Sequence, residues 1–195
     1  MKELGKDIIH IIDGFPLPVC HFRRALKSSC FKGEANFGCC SAKRQLYYGF
    51  KGHLLISASG VIENFALTPA SIEEHRMLND LTEEIEGLLI GDKGYLGKKH
   101  KQNLLNRNIL LQTPLKKNMK DTRLSRYVQR IKKMRKIIES VIAQLIYRFK
   151  IFRIWARDRF HLFNRLSRIF LAHIIGVFIN RKLGRRSIIF DGLLC

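Results

Sequence analysis

Three carboxylates in this sequence stand where oxygen-ligand chemistry would need them. Ile8-Ile9-His10-Ile11-Ile12-Asp13-Gly14 and Leu88-Leu89-Ile90-Gly91-Asp92 are both short apolar runs that stop at an acid beside a glycine. Each run reads as a strand buried on both faces, and open α/β sheets take their ligands at the carboxyl ends of such strands. A third acid, Glu139, lies in a strongly basic segment with helical periodicity. Oxygen donors of this kind suit a hard divalent cation: Mg²⁺ takes one or two carboxylates and completes its shell with phosphate and water, and Mn²⁺ accepts the same donors. Two such ions about 3.5–4 Å apart serve phosphodiester cleavage, one at the attacking oxygen and one at the leaving oxygen. Asp13, Asp92 and Glu139 are therefore the candidate metal ligands and catalytic residues. The condition is that the two strands are neighbours and that the helix crosses them.

Charge points to the substrate class. The 195 residues hold 36 Lys and Arg against 16 Asp and Glu, a net charge of +20. Such an excess implies a polyanionic partner, DNA or RNA. A membrane partner is not expected: acids are scattered among the bases, and no clean amphipathic arm stands out. Met1 to Lys6 is polar, so no secretory signal opens the sequence, and the nearest approach to a membrane span, Ile169 to Ile179, is too short. The cysteines are Cys20, Cys30, Cys39, Cys40 and Cys195. Their odd number, the adjacent pair and the lack of Cys-x-x-Cys spacing favour reduced thiols in a cytoplasm over zinc or disulfides.

The elements that must position the acids follow from periodicity. Residues 7–20 read as a first strand, ended by Pro16 and Pro18. Residues 21–44 read as an irregular basic insertion. Gln45 to Ser57 and Val61 to Leu67 form a hairpin about Ala58-Ser59-Gly60. Ser71 with Glu74 makes a capping box, which predicts a helix running to about Glu86 with its acids turned to solvent. The Asp92 strand, a helix over 98–107 and a strand over Ile109 to Thr113 complete a five-stranded mixed sheet flanked by helices, an α/β fold. Between Lys116 and Arg168, 17 Lys and Arg face three acids. A long helix fits Arg123 to Phe149, with Tyr127, Ile131, Met134, Ile138, Val141, Ile142, Leu145 and Phe149 on one arc and Glu139 just off its edge beside Arg135. A basic aromatic linker, Ile151 to Phe160, carries Trp155, for which there are two readings: a base-stacking residue or, as the one Trp and flanked by apolar residues, a packing anchor, the commoner case. Leu162 to Ile179 reads as an apolar helix and residues 181–195 as a loose tail, with one domain over 1–180.

Five blocks of sequence resemble one family. They are I-I-D-G-F-P-L-P-V-C-H at Ile11 to His21, Y-G-F-K-G-H-L at Tyr48 to Leu54, L-T-P-A-S at Leu67 to Ser71, G-D-K-G-Y at Gly91 to Tyr95 and R-K-I-I-E at Arg135 to Glu139. In this order they resemble bacterial insertion-sequence transposases of the Asp-Asp-Glu (DDE) type, whose catalytic domain is RNase H-like. The resemblance implies Mg²⁺-dependent DNA cleavage and strand transfer, a dimer on DNA ends, and a cytoplasmic protein that joins the nucleoid when bound to DNA. It makes Asp13 and Asp92 the metal-binding aspartates, Glu139 the glutamate, and Arg135 the arginine four residues before it. Where relatives carry a Tyr and a Lys, this chain has Lys132 and Ile146, with Arg148 or Lys150 as substitutes for the Lys. The expected DNA-backbone contacts are Lys93, Lys132, Arg135, Lys136, Arg148 and Lys150. Only twelve residues precede Asp13, whereas such transposases carry a sizeable end-recognition segment there, so the expectation is a catalytic domain without that part. A catalytically inactive DNA-binding remnant and an RNase H-like nuclease are the alternative readings.

Overall fold

A computed structural model describes residues 7–40, 45–115 and 118–192. Lys116 and Cys195 lie outside the described residues. Six strands form one mixed sheet: β1 (Ile9–Cys20), β2 (Asn36–Cys40), β3 (Gln45–Ser57), β4 (Ile62–Pro69), β5 (Gly87–Ile90) and β6 (Ile109–Gln112). Its order is β2-β3-β1-β5-β6, with β4 also paired to β3. The β4-β3-β1 part is antiparallel, and β1-β5-β6 is parallel. This is the mixed sheet flanked by helices expected from the sequence, with one strand more.

Helices cover both faces because the strands alternate. Ile11, Phe15, Leu54, Ile56 and Ile90 point into one core with Ile131, Ile138, Val141 and Leu145 of α3 (Ser125–Tyr147) and Leu162, Leu166 and Phe170 of α4 (Arg159–Lys182). Ile12, Leu55 and Leu89 point the other way, onto Leu78 and Leu81 of α1 (Leu78–Leu81) and Leu104 of α2 (Lys98–Leu105). Each face of a two-sided sheet thus buries its own apolar set, which is what fixes strand register.

The structure corrects the sequence reading at five places. The supposed irregular insertion contains β2, antiparallel to β3 from Asn36↔Gly49 to Cys40↔Gln45; Asn-Phe-Gly-Cys-Cys carries little strand propensity, so its edge position rests on Phe37 against Phe22 and Tyr48. β1 does not stop at its prolines: Pro16 pairs with Lys51 and Pro18 with Gly49. Beyond Ile11, among the described residues, β1 is paired with β3 alone, so residues without an N–H are tolerated on the open side. The long helix from Ser71 is absent. Ser71 accepts a hydrogen bond from Asn36 instead of capping a helix, and only a 3-10 turn (Glu74–Met77) and the four-residue α1 form. Residues 183–192 are not loose: Asn180 donates to the carbonyls of Ser187 and Ile189, Arg148 donates to that of Phe190, and Phe190 is buried. Finally, α4 is long and apolar enough to cross a membrane by length and composition. The sequence reading took Ile169 to Ile179 as too short for a span and as a buried helix, and Leu166, Phe170, His173, Val177 and Asn180 of α4 are indeed buried within the fold.

Candidate active site

The parallel pairing of β1 with β5 brings the two aspartates together. Ile11 pairs with Ile90, and Asp13 and Asp92 each stand two residues further along. Neighbouring strands lie about 4.8 Å apart, so equal offsets past a matched pair place both carboxylates at one edge of the sheet. The glycine-rich turn after β5 is shaped by packing. Tyr95 is fully buried, and its ring lies so close over Gly91 that a Cβ there would meet it at 3.0 Å. The Gly-Asp-Lys-Gly-Tyr block therefore works as a clamp: Tyr95 anchors the turn and Asp92 is left extended at its start.

The third sequence-predicted acid lies in the same cleft. Asp13, Asp92, Arg135 and Glu139 line one opening of about 710 Å³, together with Lys51, Tyr47, Cys39, Cys40 and Glu74. The α3 helix crosses β1 on its Ile131, Ile138 and Val141 side, and this turns Arg135 inward. Its guanidinium stands 3.3 Å from Asp92 and 4.0 Å from Asp13. Glu139, one turn further along α3, is exposed at the rim. Among the described residues, no three His, Cys, Asp or Glu side chains are close enough together to hold an ion. The structure therefore brings Asp13 and Asp92 together around Arg135, and Glu139 only to their margin.

Glu74 is the residue the sequence reading missed. It was assigned to a solvated helix, but the chain from Pro69 to Met77 crosses the end of the sheet, held by Lys51 donating to the Ile72 carbonyl at 2.9 Å. That crossing turns Glu74 into the cleft between the backbone at Gly14 and at Gly94. A Cβ on Gly14 would come within 3.1 Å of one carboxylate oxygen, and a Cβ on Gly94 would overlap the other. The glycines beside Asp13 and after Asp92 thus make room for a fourth acid. The available signal was the lack of an apolar stripe across Ser71 to Met77, which a packed helix would have needed.

Electrostatics follow from this crowding. Burial pushes the Asp13 carboxyl up to about 7; Gly14 N–H and Arg135 pull it down, while Glu74 and Asp92 add to the rise. Glu74 is also raised, by burial first, with Lys51 opposing and Asp92 reinforcing. Burial lifts the Tyr47 phenol to about 12, so it remains a hydrogen-bond donor. This surplus of negative charge suits a cation. Arg135 supplies one now, but its buried Nε has no hydrogen-bond partner among the described residues, which is costly for a guanidinium. The donors are hard carboxylate oxygens and the positive charge already sits between the aspartates, so the residues fit a divalent ion held by Asp13 and Asp92.

Lys93, next to Asp92 in the chain, and Lys132 and Lys136, on the helix that carries Arg135 and Glu139, are exposed, as is Lys150 beyond the end of that helix. Arg148 is engaged elsewhere, donating to the Phe190 carbonyl and to Asp191 at 2.9 and 2.8 Å. His10, His21 and His53, which the sequence reads as surface or packing residues, lie outside the cleft lining, whereas His75 is part of it. His10 bonds Glu63 and the Glu86 carbonyl, and buried His53 bonds Thr68. His21 is exposed. Cys20, Cys30, Cys39 and Cys40 are unbridged.

The family description "transposase DDE domain" matches residues 5–159. The chain belongs to that family. The match takes in all of the cleft and ends as α4 begins. Among solved structures, a cryo-EM structure of the piggyBac transposase synaptic complex with hairpin DNA is similar at a TM-score of 0.41 and 12% identity, over 64% of this chain and 26% of that one. The chain thus spans about a quarter of that protein's length. No curated protein matches the chain.

Proposed function

We propose that this chain cuts and rejoins DNA strands, with Asp13, Asp92 and Glu139 as its catalytic carboxylates and Mg²⁺, or Mn²⁺ in its place, as its cofactor. The observation that carries the proposal is the shared register of Asp13 and Asp92 past the Ile11↔Ile90 pair, with Arg135 bridging both. When bound, the cation neutralises the carboxylates and stabilises charge on the oxygens of the attacked phosphate. The protein's own groups do the rest. The Gly14 N–H fixes one oxygen of Asp13 at 2.8 Å, leaving the other toward Arg135. Glu74, braced against two glycines, keeps the cleft negative enough to hold positive charge. Lys93, Lys132, Lys136 and Lys150 hold the DNA backbone by charge, which sets affinity and not sequence.

Water attacking phosphorus in line breaks one ester bond, and a freed 3′ hydroxyl attacking a second phosphodiester exchanges one ester for another. Neither step forms a bond to the enzyme. Pairing of two copies on DNA ends belongs to the same proposal. One observation favours a non-catalytic reading: Arg135 fills the place between the aspartates. Nicking of end-labelled DNA with Mg²⁺ by the wild type and by Asp92→Ala separates the two. Activity is expected in the wild type alone, and equal activity in both would remove the catalytic assignment. Joined products besides nicks distinguish a transposase from a nuclease.

A further inference from the structure

The sequence favours a packing anchor over a base-stacking residue for the chain's one tryptophan, and the structure puts it on the outside. Trp155 is 85% exposed. The segment that carries it alternates: Arg153, Trp155 and Arg157 face solvent, while Phe152, Ile154 and Ala156 pack against the core. This is the period of an extended chain, and Ile154 has extended backbone angles. The outer face therefore reads Arg, Trp, Arg.

That face is held firmly. Before it, Ile151 is fully buried and Arg153 N–H donates to the Lys150 carbonyl at 2.8 Å. Behind it, Ala156 N–H donates to the Ile154 carbonyl and Arg165 donates to the carbonyl of Trp155 itself. After it, Asp158 caps α4 through His161 N–H. Between Arg148 and Arg168, seven Lys and Arg face a single acid, Asp158, and the His161 ring lies 2.7 Å from that carboxylate. A rigid indole with cations on both sides is unlike a stray surface apolar residue, which lacks this setting.

We propose that Trp155 is a stacking platform for an unpaired base of the DNA substrate, with Arg153 and Arg157 on the flanking phosphates. The inference rests on the reading that DNA is the substrate. An indole face stacks on any base that exposes its own face, and bases of an intact duplex do not. The surface therefore selects single-stranded or frayed DNA, such as strand ends opened at a cleavage site.

Because Trp155 is the only tryptophan, its fluorescence reads the contact directly. The full chain is titrated with an oligothymidylate and with a blunt duplex of equal nucleotide content. The single strand is expected to quench the indole and the duplex to leave it almost unchanged. Trp155→Ala should weaken single-strand binding roughly five- to hundredfold with duplex affinity unchanged, and Trp155→Phe should restore most of the loss. Equal quenching by both DNAs, no quenching, or unaltered single-strand affinity in Trp155→Ala would overturn the platform. A response to anionic vesicles without one to single strands would instead assign the indole to a membrane surface. Nicking without quenching would sink the platform alone, whereas a chain that binds neither DNA would lose the reading beneath it too.

Discussion

Replacing Asp13 by Asn should stabilise the metal-free protein at alkaline pH while ending its activity. The Asp13 carboxyl is raised from 3.8 to about 7, chiefly by burial, and its side chain is 19% exposed. At about 1.4 kcal/mol per pH unit, a gap of roughly three amounts to about 4 kcal/mol. The sign follows from which state holds the proton. Well below the unfolded value of 3.8, folded and unfolded chains both keep it and nothing is lost. Between about pH 4 and 7 the unfolded chain releases it first, so wild-type stability falls, and above 7 the full penalty is present. Asparagine is neutral throughout and keeps an oxygen for the Gly14 N–H. The stability difference between variant and wild type should therefore climb from near zero well below pH 3.8 to about 4 kcal/mol at pH 8, a rise of roughly 8–16 °C in Tm. Burial lowers His53 and His173 to about 4, which makes acid destabilising from about 6.5 downward, but this trend is common to both proteins and cancels in the difference. Urea unfolding across pH 4–8 in chelator measures the difference. Mg²⁺ should then restore stability to the wild type alone at pH 8. A difference flat with pH would refute the reasoning.

Three further outcomes are expected. Glu74→Gln removes a charge that raises Asp13, so the acid limb of the cleavage pH profile should move to lower pH; an unmoved limb would take Glu74 out of the site. Phe190→Ala should cost about 3–5 kcal/mol, because Phe190 is buried against Phe149, His173 and Gly176, and denaturant unfolding showing a loss below about 1 kcal/mol would mean that residues 183–192 do not dock. The double change Lys132→Gln, Lys136→Gln should lower the slope of log affinity against log salt by about 0.9 per lost contact, while Arg148→Gln should lower stability and leave that slope unchanged in DNA-binding titrations.

How legible the site was depended on the kind of signal. The strands carrying Asp13 and Asp92 were readable because each is an apolar run with an abrupt polar stop, and α3 because its apolar residues keep helical spacing over 23 residues. Glu74 was hidden because Ser71 and Glu74 satisfy a capping rule locally, while the Ser71 hydroxyl is taken by Asn36, 35 residues away in the chain. β2 was hidden because its stability comes from pairing with β3 and not from its own composition. The prolines of β1 misled for a similar reason: a missing N–H matters only on a paired edge, and the sequence does not say which residues of β1 have β5 beside them. Trp155 shows the converse, an apolar side chain whose neighbours on either side take the buried positions.

The central claim is that Asp13, Asp92 and Glu139 act as one catalytic unit. It is tested most directly by single-turnover cleavage of a labelled duplex in Mg²⁺ by Asp13→Asn, Asp92→Asn, Glu139→Gln and the triple variant. Residues that act together are grossly non-additive, so each single change is expected to reduce the rate to nearly the level of the triple. Glu139→Gln cutting at the wild-type rate, or three losses that multiply independently, would contradict the account.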